Sequence, residues 1–184
     1  MTEPAMPADT FWGIIDSNAK SNNNPTARLE ALHSTLSKLT LDELISFEVA
    51  FRHFLNEAYT WDLCGAAAVI HGSCSDDSFE YFRRWLVSRG RDVYSAAVAD
   101  PDSLAQLDSV ATGADGVWEF EEFYYVAVKV YVQKGGSGDI REHSEPEAGM
   151  GGLGPSGEPL PDDRKLMAKR YPKLWERFEN KPLG

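Results

Sequence analysis

Apolar side chains recur every three or four residues along most of the first 132 positions, and this spacing limits the fold more than any other feature. Two clear stripes are Leu29, Leu32, Leu36 and Leu39, followed by Leu44, Phe47, Phe51 and Leu55. Such spacing places the apolar side chains on one face of an α-helix. The segment 119–132 also has the β-branched and aromatic content of a strand, but a single strand would have no partner. We therefore predict an all-α fold, a single compact multi-helix domain.

Capping residues indicate where these helices begin and end. Thr40 with Glu43 three positions later forms a capping-box pattern at the start of one helix. Gly72 is a C-cap glycine that ends a helix rich in small residues, and Ser75 or Asp77 can cap the helix after it. The sequence therefore predicts short helices joined by tight connections.

Composition divides the chain into four parts. Residues 1–9 are predicted to be a disordered N-terminus and 10–134 to form the helical domain. Residues 135–161 contain 8 of the 15 glycines and 4 of the 10 prolines, which is typical of a flexible linker. Residues 162–184 form a C-terminal helix, and we expect its basic side chains to dock it on the acidic domain.

The net charge and the absence of long apolar runs limit the possible partners. The chain has 29 acidic against 18 basic residues, a net charge of −11, which disfavours binding to nucleic acid. No window approaches the roughly 20 apolar residues of a membrane span, and the first residues lack a basic signal-peptide start. Two cysteines are too few for a disulfide framework. We expect a cytoplasmic protein of bacterial type, a monomer or weak homodimer without a cofactor.

The stretch "IHGSCSDDSFEYFRRWL" (70–86) has the densest set of reactive side chains. Its apolar residues share one helical face, and they are Phe79, Phe82, Trp85 and Leu86. Glu80 and Arg84 form an i,i+4 ion pair on the opposite side. Capping, packing and a surface ion pair therefore account for most of the stretch without catalysis.

Arg83 is the exception, because it lies at the edge of the apolar stripe. A partly buried guanidinium needs a carboxylate or an anionic ligand. We favour an inter-helix salt bridge to Glu119 or Glu122, and the alternative is a ligand pocket that also contains Asp76.

A metal site is a further alternative in the same region. Cys64 and His71 are seven residues apart and so face the same way on one helix, with Cys74 just beyond them. Together with Asp76 or Asp77 they could supply zinc ligands. Neither a CxxC nor an HExxH motif occurs, so we expect no metal.

Three motifs resemble one known family. They are "FWGIID" (11–16), "CSDDSFEYFRRWLVSRGRDVY" (74–94) and "ADPDSLA" (99–105). Residues 10–132 are similar to the bacterial domain of unknown function 4240, for which the resemblance implies a helical fold and no established activity. It marks as motif positions Asp76, Asp77, Phe82, Arg83, Trp85, Pro101, Asp102 and Leu104.

Two classes of function remain open. We favour a non-catalytic helical binding or regulatory protein with a protein or small-molecule partner. The alternative is an enzyme or small-molecule-binding protein with a polar pocket around Asp76, Asp77, Arg83 and either Glu119 or Glu122. The candidate ligand-binding residues are Asp76, Asp77, Arg83, Trp85, Asp102 and Glu122.

Overall fold

The computed structural model describes residues 4–21, 24–107, 118–149 and 154–183 of the chain. In these ranges the structure is helical, and the prediction of an all-α fold is confirmed. The α-helices are α1 (Ala8–Ser21), α2 (Pro25–Leu36), α3 (Leu41–Glu57), α4 (Trp61–His71), α5 (Asp76–Ser88), α6 (Arg91–Ala99), α7 (Glu121–Gln133), α8 (Arg164–Arg170) and α9 (Pro172–Phe178). Two 3₁₀ helices cover Pro101–Gln106 and Ile140–His143. Within the described ranges, no helix is both long and apolar enough to cross a lipid bilayer.

The predicted caps define the start of α3 and the turn between α4 and α5. The Thr40 hydroxyl accepts from the Glu43 amide, and the Glu43 carboxylate accepts from the Thr40 amide at 2.8 Å. Gly72 follows α4 with a φ of 83°, a left-handed conformation that glycine adopts without strain. Ser75 then caps α5 by a reciprocal pair of hydrogen bonds with Ser78. These local interactions fix where α5 begins.

Helix α5 runs through the centre of the molecule. All residues from 82 to 88 are buried, so both the apolar stripe and its edges are enclosed. The Trp85 ring stacks on Trp118 with centroids 4.7 Å apart, and Phe178 of α9 meets Trp118 edge-on at 5.6 Å. The segment predicted to be one C-terminal helix is two short helices separated at Tyr171, and the second of them, α9, contributes to the same core as α5.

Small residues on α4 let the C-terminal segment approach closely. A β-carbon at Gly65 would overlap the side chains of Tyr171 and Leu160. The Tyr171 hydroxyl donates to the carbonyl of Asp62 at 3.0 Å, and Arg170 forms an ion pair with the Asp62 carboxylate at 2.6 Å. The close approach of Tyr171 and Leu160 requires the absence of a side chain at position 65.

Asp102 holds the N-terminus of α9. Its buried carboxylate accepts from the amides of Lys173 at 3.0 Å and Leu174 at 2.9 Å. Pro172 is in the first turn of α9, where a backbone N–H would have no acceptor within the helix, so its absence does not weaken the helix. A family-motif residue is thus a cap for a helix more than 60 positions away in sequence.

Residues 4–9, which fall in the predicted disordered N-terminus, contact the helical domain. Met6 is buried, and its amide donates to the carbonyl of Ser46 at 2.8 Å. The carbonyl of Pro7 accepts from the amide of Thr10 at 2.9 Å, and α1 begins at Ala8, before the predicted start of the helical domain at residue 10. Composition did not indicate this packing, because one methionine is enough to anchor the segment.

The described part of 135–161, predicted to be a flexible linker, lies against the helical domain. Ile140 is buried in the core. Further along, the Ser156 amide donates to the carbonyl of Tyr59 at 3.0 Å, and the Trp61 amide donates to the carbonyl of Ser156 at 2.9 Å. Composition missed these contacts because backbone hydrogen bonds need no apolar side chains. Residues 150–153 lie outside the described residues.

Candidate functional site

Three arginine side chains are buried together between α3 and α5. Arg52 comes from α3 and Arg83 and Arg84 from α5, and each residue is only 2–4% exposed. Guanidinium groups stay protonated in proteins, and a buried charge is costly unless it is paired. These three guanidinium groups therefore need an anionic partner close by.

Glu147 supplies that anion from outside the helices. Its carboxylate accepts a hydrogen bond from Arg52 and lies 3.4 Å from Arg83 Nη2 and 3.6 Å from Arg84 Nη2. The residue is 3% exposed, so the ion pairs are shielded from water. One carboxylate thereby contacts three cations. Arg84 also forms an ion pair with Glu80, and Arg52 also lies near Glu48.

Aromatic rings complete the surroundings of the guanidinium groups. Arg84 lies over the Tyr124 ring, 4.2 Å from its centroid, and Arg52 donates a hydrogen bond to the Tyr124 hydroxyl. Arg83 lies 4.8 Å from the centroid of the Tyr59 ring. Cation–π contacts of this kind partly replace the lost hydration of a guanidinium.

Asn56 binds the backbone on both sides of Glu147. Its Nδ2 donates to the carbonyl of Pro146 at 3.1 Å, and its Oδ1 accepts from the amide of Ala148 at 2.8 Å. Arg83 Nη2 also donates to the carbonyl of Ala148 at 3.2 Å. We call the surface formed by Arg52, Asn56, Arg83 and Arg84 the arginine groove; it holds Glu147 by its carboxylate and its neighbours by their backbone.

The predicted salt bridge of Arg83 forms with a different partner from the one expected. Arg83 pairs with Glu147, and its Nη1 donates to the carbonyl of Leu55 at 2.9 Å. The prediction of Glu119 or Glu122 as the partner was wrong. The carboxylate beside Arg83 belongs to Glu147, which lies in the segment predicted to be a linker. Burial lowers the pKa of Arg83, whereas Glu147 opposes that change.

Asp76 and Asp77 lie together with Arg83 around a cavity of about 210 Å³. Both aspartates are exposed in the first turn of α5, where their charges favour the helix dipole. Ala148 and Tyr59 also line this cavity, which is the outer end of the arginine groove. Three of the predicted pocket residues are thus brought together.

The other predicted site residues lie elsewhere. Trp85 is in the core, and Asp102 caps α9. Glu122 lines a separate cavity between α2 and α7, together with His33. Glu119 lies 3.9 Å from the ring of His71. Neither acidic residue lines the cavity that contains Arg83.

The metal alternative is not assembled in the described residues, which contain no suitable group of three His, Cys, Asp or Glu side chains. Cys64 and Cys74 are close, with Sγ atoms 3.9 Å apart. His71 is buried against Phe82, and burial lowers its pKa to about 4.

Sequence reasoning missed Arg52, Asn56, Arg84 and Glu147 as parts of one site. Arg52 had a detectable signal, because it lies next to the apolar stripe of α3, four residues after Glu48. Two charged residues at the edge of an apolar face indicate a buried polar cluster. Glu147 had no such signal in its glycine-rich surroundings.

Glu48 is another carboxylate of this cluster. It is fully buried 3.6 Å from Arg52, and neither of its carboxylate oxygens accepts a hydrogen bond within the described residues. Burial raises the pKa of Glu48 to about 7, although the charge of Arg52 opposes the increase. The cluster therefore contains one acid that takes up a proton near neutral pH.

Replacing Glu48 with glutamine should flatten the pH dependence of stability. The folded pKa of about 7 lies above the ordinary value of 4.5, so the folded protein binds more protons between these values and loses stability as the pH rises. In the parent this loss should be on the order of 3 kcal/mol by about pH 8. Urea unfolding across this range measures it, with Glu145→Gln as the exposed control. An unchanged pH profile in Glu48→Gln would contradict the role of Glu48.

Comparison with known proteins identifies the family of the helical domain. The family described as protein of unknown function (DUF4240) matches residues 6–133. Neither the curated proteins nor the solved structures gave a match. The matched range contains the three arginines and Asn56 but ends before Glu147. Because the match covers well over half of the sequence, the chain belongs to the DUF4240 family.

Proposed function

We propose that this protein is a non-catalytic binding protein whose arginine groove binds an extended polypeptide segment through one buried carboxylate. The observation that carries the proposal is the insertion of Glu147 among Arg52, Arg83 and Arg84. All three arginines lie within the family match, and Glu147 lies outside it. The family domain supplies the binding surface, and a segment beyond it is the occupant.

The chemistry of the groove favours a carboxylate on a polypeptide chain. Three guanidinium groups attract an anion, and ion-paired hydrogen bonds are among the strongest that a protein forms. Asn56 contacts only the backbone of Pro146 and Ala148, which any extended segment with a free amide at that position could supply. The partner we propose is therefore a protein with an exposed acidic segment, which competes with residues 144–149 for the groove.

The alternative function, an enzyme or small-molecule pocket around Asp76, Asp77 and Arg83, has less support. That function needs the Arg83 guanidinium to be directed at a ligand. Arg83 instead donates to the carbonyls of Leu55 and Ala148 and pairs with Glu147. The carboxylates of Asp76 and Asp77 at this cavity are exposed to solvent. Acidic residues in the first turn of a helix are explained by the helix dipole and need no ligand.

Replacing Glu147 with alanine tests the proposal by chemical rescue. The variant should lose about 2–3 kcal/mol of stability, the cost of removing a partner from charged hydrogen bonds. The loss should stay below that for a buried arginine, because water can enter the vacated groove. Acetate has the atoms that the substitution removes, so it should restore part of the loss as RT ln(1 + [acetate]/Kd), whereas chloride at equal ionic strength should not.

Two matched comparisons make the rescue specific. Glu145→Ala removes an exposed carboxylate two residues away and should respond to acetate as the parent does. A synthetic peptide of residues 140–149 should bind saturably to full-length Glu147→Ala, and the same peptide carrying Glu147→Gln should bind at least about tenfold more weakly. Equal binding of the two peptides, or no acetate effect beyond that in the parent, would overturn the proposed function.

A further inference from the structure

Two thiols touch at the junction of α4 and α5, where both side chains pack against the edge of the core. Cys64 is in the first turns of α4, and Cys74 immediately precedes Ser75, the cap of α5. Both side chains are partly exposed and reduced, with their Sγ atoms 3.9 Å apart. Nothing in the proposed function uses this pair.

The local backbone allows the two sulfur atoms to come together. A disulfide requires a separation of about 2.05 Å, so the gap must shorten by about 2 Å. Cys64 is fixed in a helix, but Cys74 is in the connection 72–75 between two helices. Movement of Cys74 therefore breaks no helical hydrogen bond, and Gly72 next to the turn already has a left-handed backbone.

We propose that Cys64 and Cys74 are a reversible oxidation site that forms an intramolecular disulfide with hydrogen peroxide. In the first step the Cys64 thiolate attacks one peroxide oxygen, the S–O bond forms, the O–O bond breaks, and the released hydroxide takes a proton to become water. In the second step Cys74 attacks the sulfenic sulfur of Cys64. The S–S bond forms, the S–O bond breaks, and the departing hydroxide takes the Cys74 proton and leaves as water. The two sulfurs are oxidised by two electrons and the peroxide is reduced to two waters.

The contact between the thiols assigns the first attack to Cys64. A thiolate at Cys64 accepts a hydrogen bond from the Cys74 thiol, and this interaction lowers the pKa of Cys64 against the effect of burial. The same hydrogen bond, together with burial, raises the pKa of Cys74. Thiolates rather than thiols react with peroxide, so Cys64 reacts first and Cys74 resolves the product.

The disulfide would join the first turn of α4 to the residue before the N-cap of α5. Asp76 and Asp77 follow two and three residues after Cys74, at the outer end of the arginine groove. Oxidation thus fixes the connection next to the groove and leaves Arg83 and Glu147 themselves unmodified.

The test treats the folded, full-length protein with hydrogen peroxide and follows both thiols. Both cysteines lie in one tryptic peptide, residues 53–83, which should become lighter by about 2 Da as two hydrogens are lost, and an excess of dithiothreitol should reverse the change. Protein unfolded in urea should form the disulfide at least about tenfold more slowly, because the contact between the thiols is lost. Equal rates in the folded and unfolded states would overturn the proposal, as would disulfides between two chains.

Single substitutions test the order of the two steps. Cys74→Ser keeps a hydroxyl donor beside Cys64 but no resolving thiol, so the reaction should stop at a sulfenic acid on Cys64 that dimedone traps. Cys64→Ser should react on the order of tenfold more slowly, because its remaining thiol lacks the depressed pKa. Equal rates in the two variants would overturn the assignment of Cys64 as the attacking thiol. These outcomes do not depend on the arginine groove, so they can fail or succeed independently of the proposed function.

Discussion

Arg83→Ala is expected to lower the free energy of unfolding by about 3–5 kcal/mol, the range for removing one partner of a buried ion pair. The substitution leaves the Leu55 and Ala148 carbonyls without their donor and takes one of three cations from Glu147. It also removes the cation–π contact with the Tyr59 ring. Urea unfolding at neutral pH measures the change.

The surface pair of Arg91 and Asp9 provides the matched control. These side chains are also ion-paired, at 2.7 Å, but they are 49% and 87% exposed. Arg91→Ala should therefore cost less than about 1 kcal/mol. If Arg83→Ala unfolded at the same urea concentration as the parent, Arg83 would have no structural role, and the ligand-pocket alternative would gain support.

Phe82→Ala should destabilise the protein by a similar amount, about 3–5 kcal/mol, for an unrelated reason. The Phe82 ring is fully buried in the middle of α5, 5.5 Å from Trp85 and 6.4 Å from Phe79 between ring centroids. Truncation leaves a cavity that the rigid helices around it cannot fill. Thermal unfolding followed by circular dichroism would detect the loss.

Tyr125→Ala controls for the removal of an aromatic ring from a helix. Tyr125 is on α7 with 36% of its surface exposed, so its loss should change stability by less than about 1 kcal/mol. If Phe82→Ala were as mild as Tyr125→Ala, the central position of α5 in the core would be wrong.

The fold was predictable where local chemistry determines it. The Thr40–Glu43 box and Gly72 act within a few residues of their position, so their effects could be inferred before any packing was known. The segment 119–132 was ambiguous by composition, and the lack of a partner strand gave the right answer. Helical periodicity predicted the other helices because a helix must bury one face whatever its neighbours are.

The candidate site was predictable only in part, because its partners are distant in sequence. The position of Arg83 at the edge of an apolar stripe indicated a buried charge that needed an anion. The identity of that anion depended on the path of residues 135–149, and composition suggested only that this segment was polar. Asp102 was likewise recognisable as a motif position, but its bond to the amide of Leu174 requires knowledge of where α9 docks.

The hydrogen bonds of Asn56 also determine which glutamate of the sequence Glu145-Pro146-Glu147 enters the groove. The inserted residue must be followed by one that donates its amide to Asn56, and Ala148 meets this requirement. If the segment slid by two residues to insert Glu145, the next residue would be Pro146, which has no N–H. Pro146 therefore fixes the register of the segment. Glu145 and Glu147 carry the same charge, but only Glu147 is followed by a residue that can donate to Asn56.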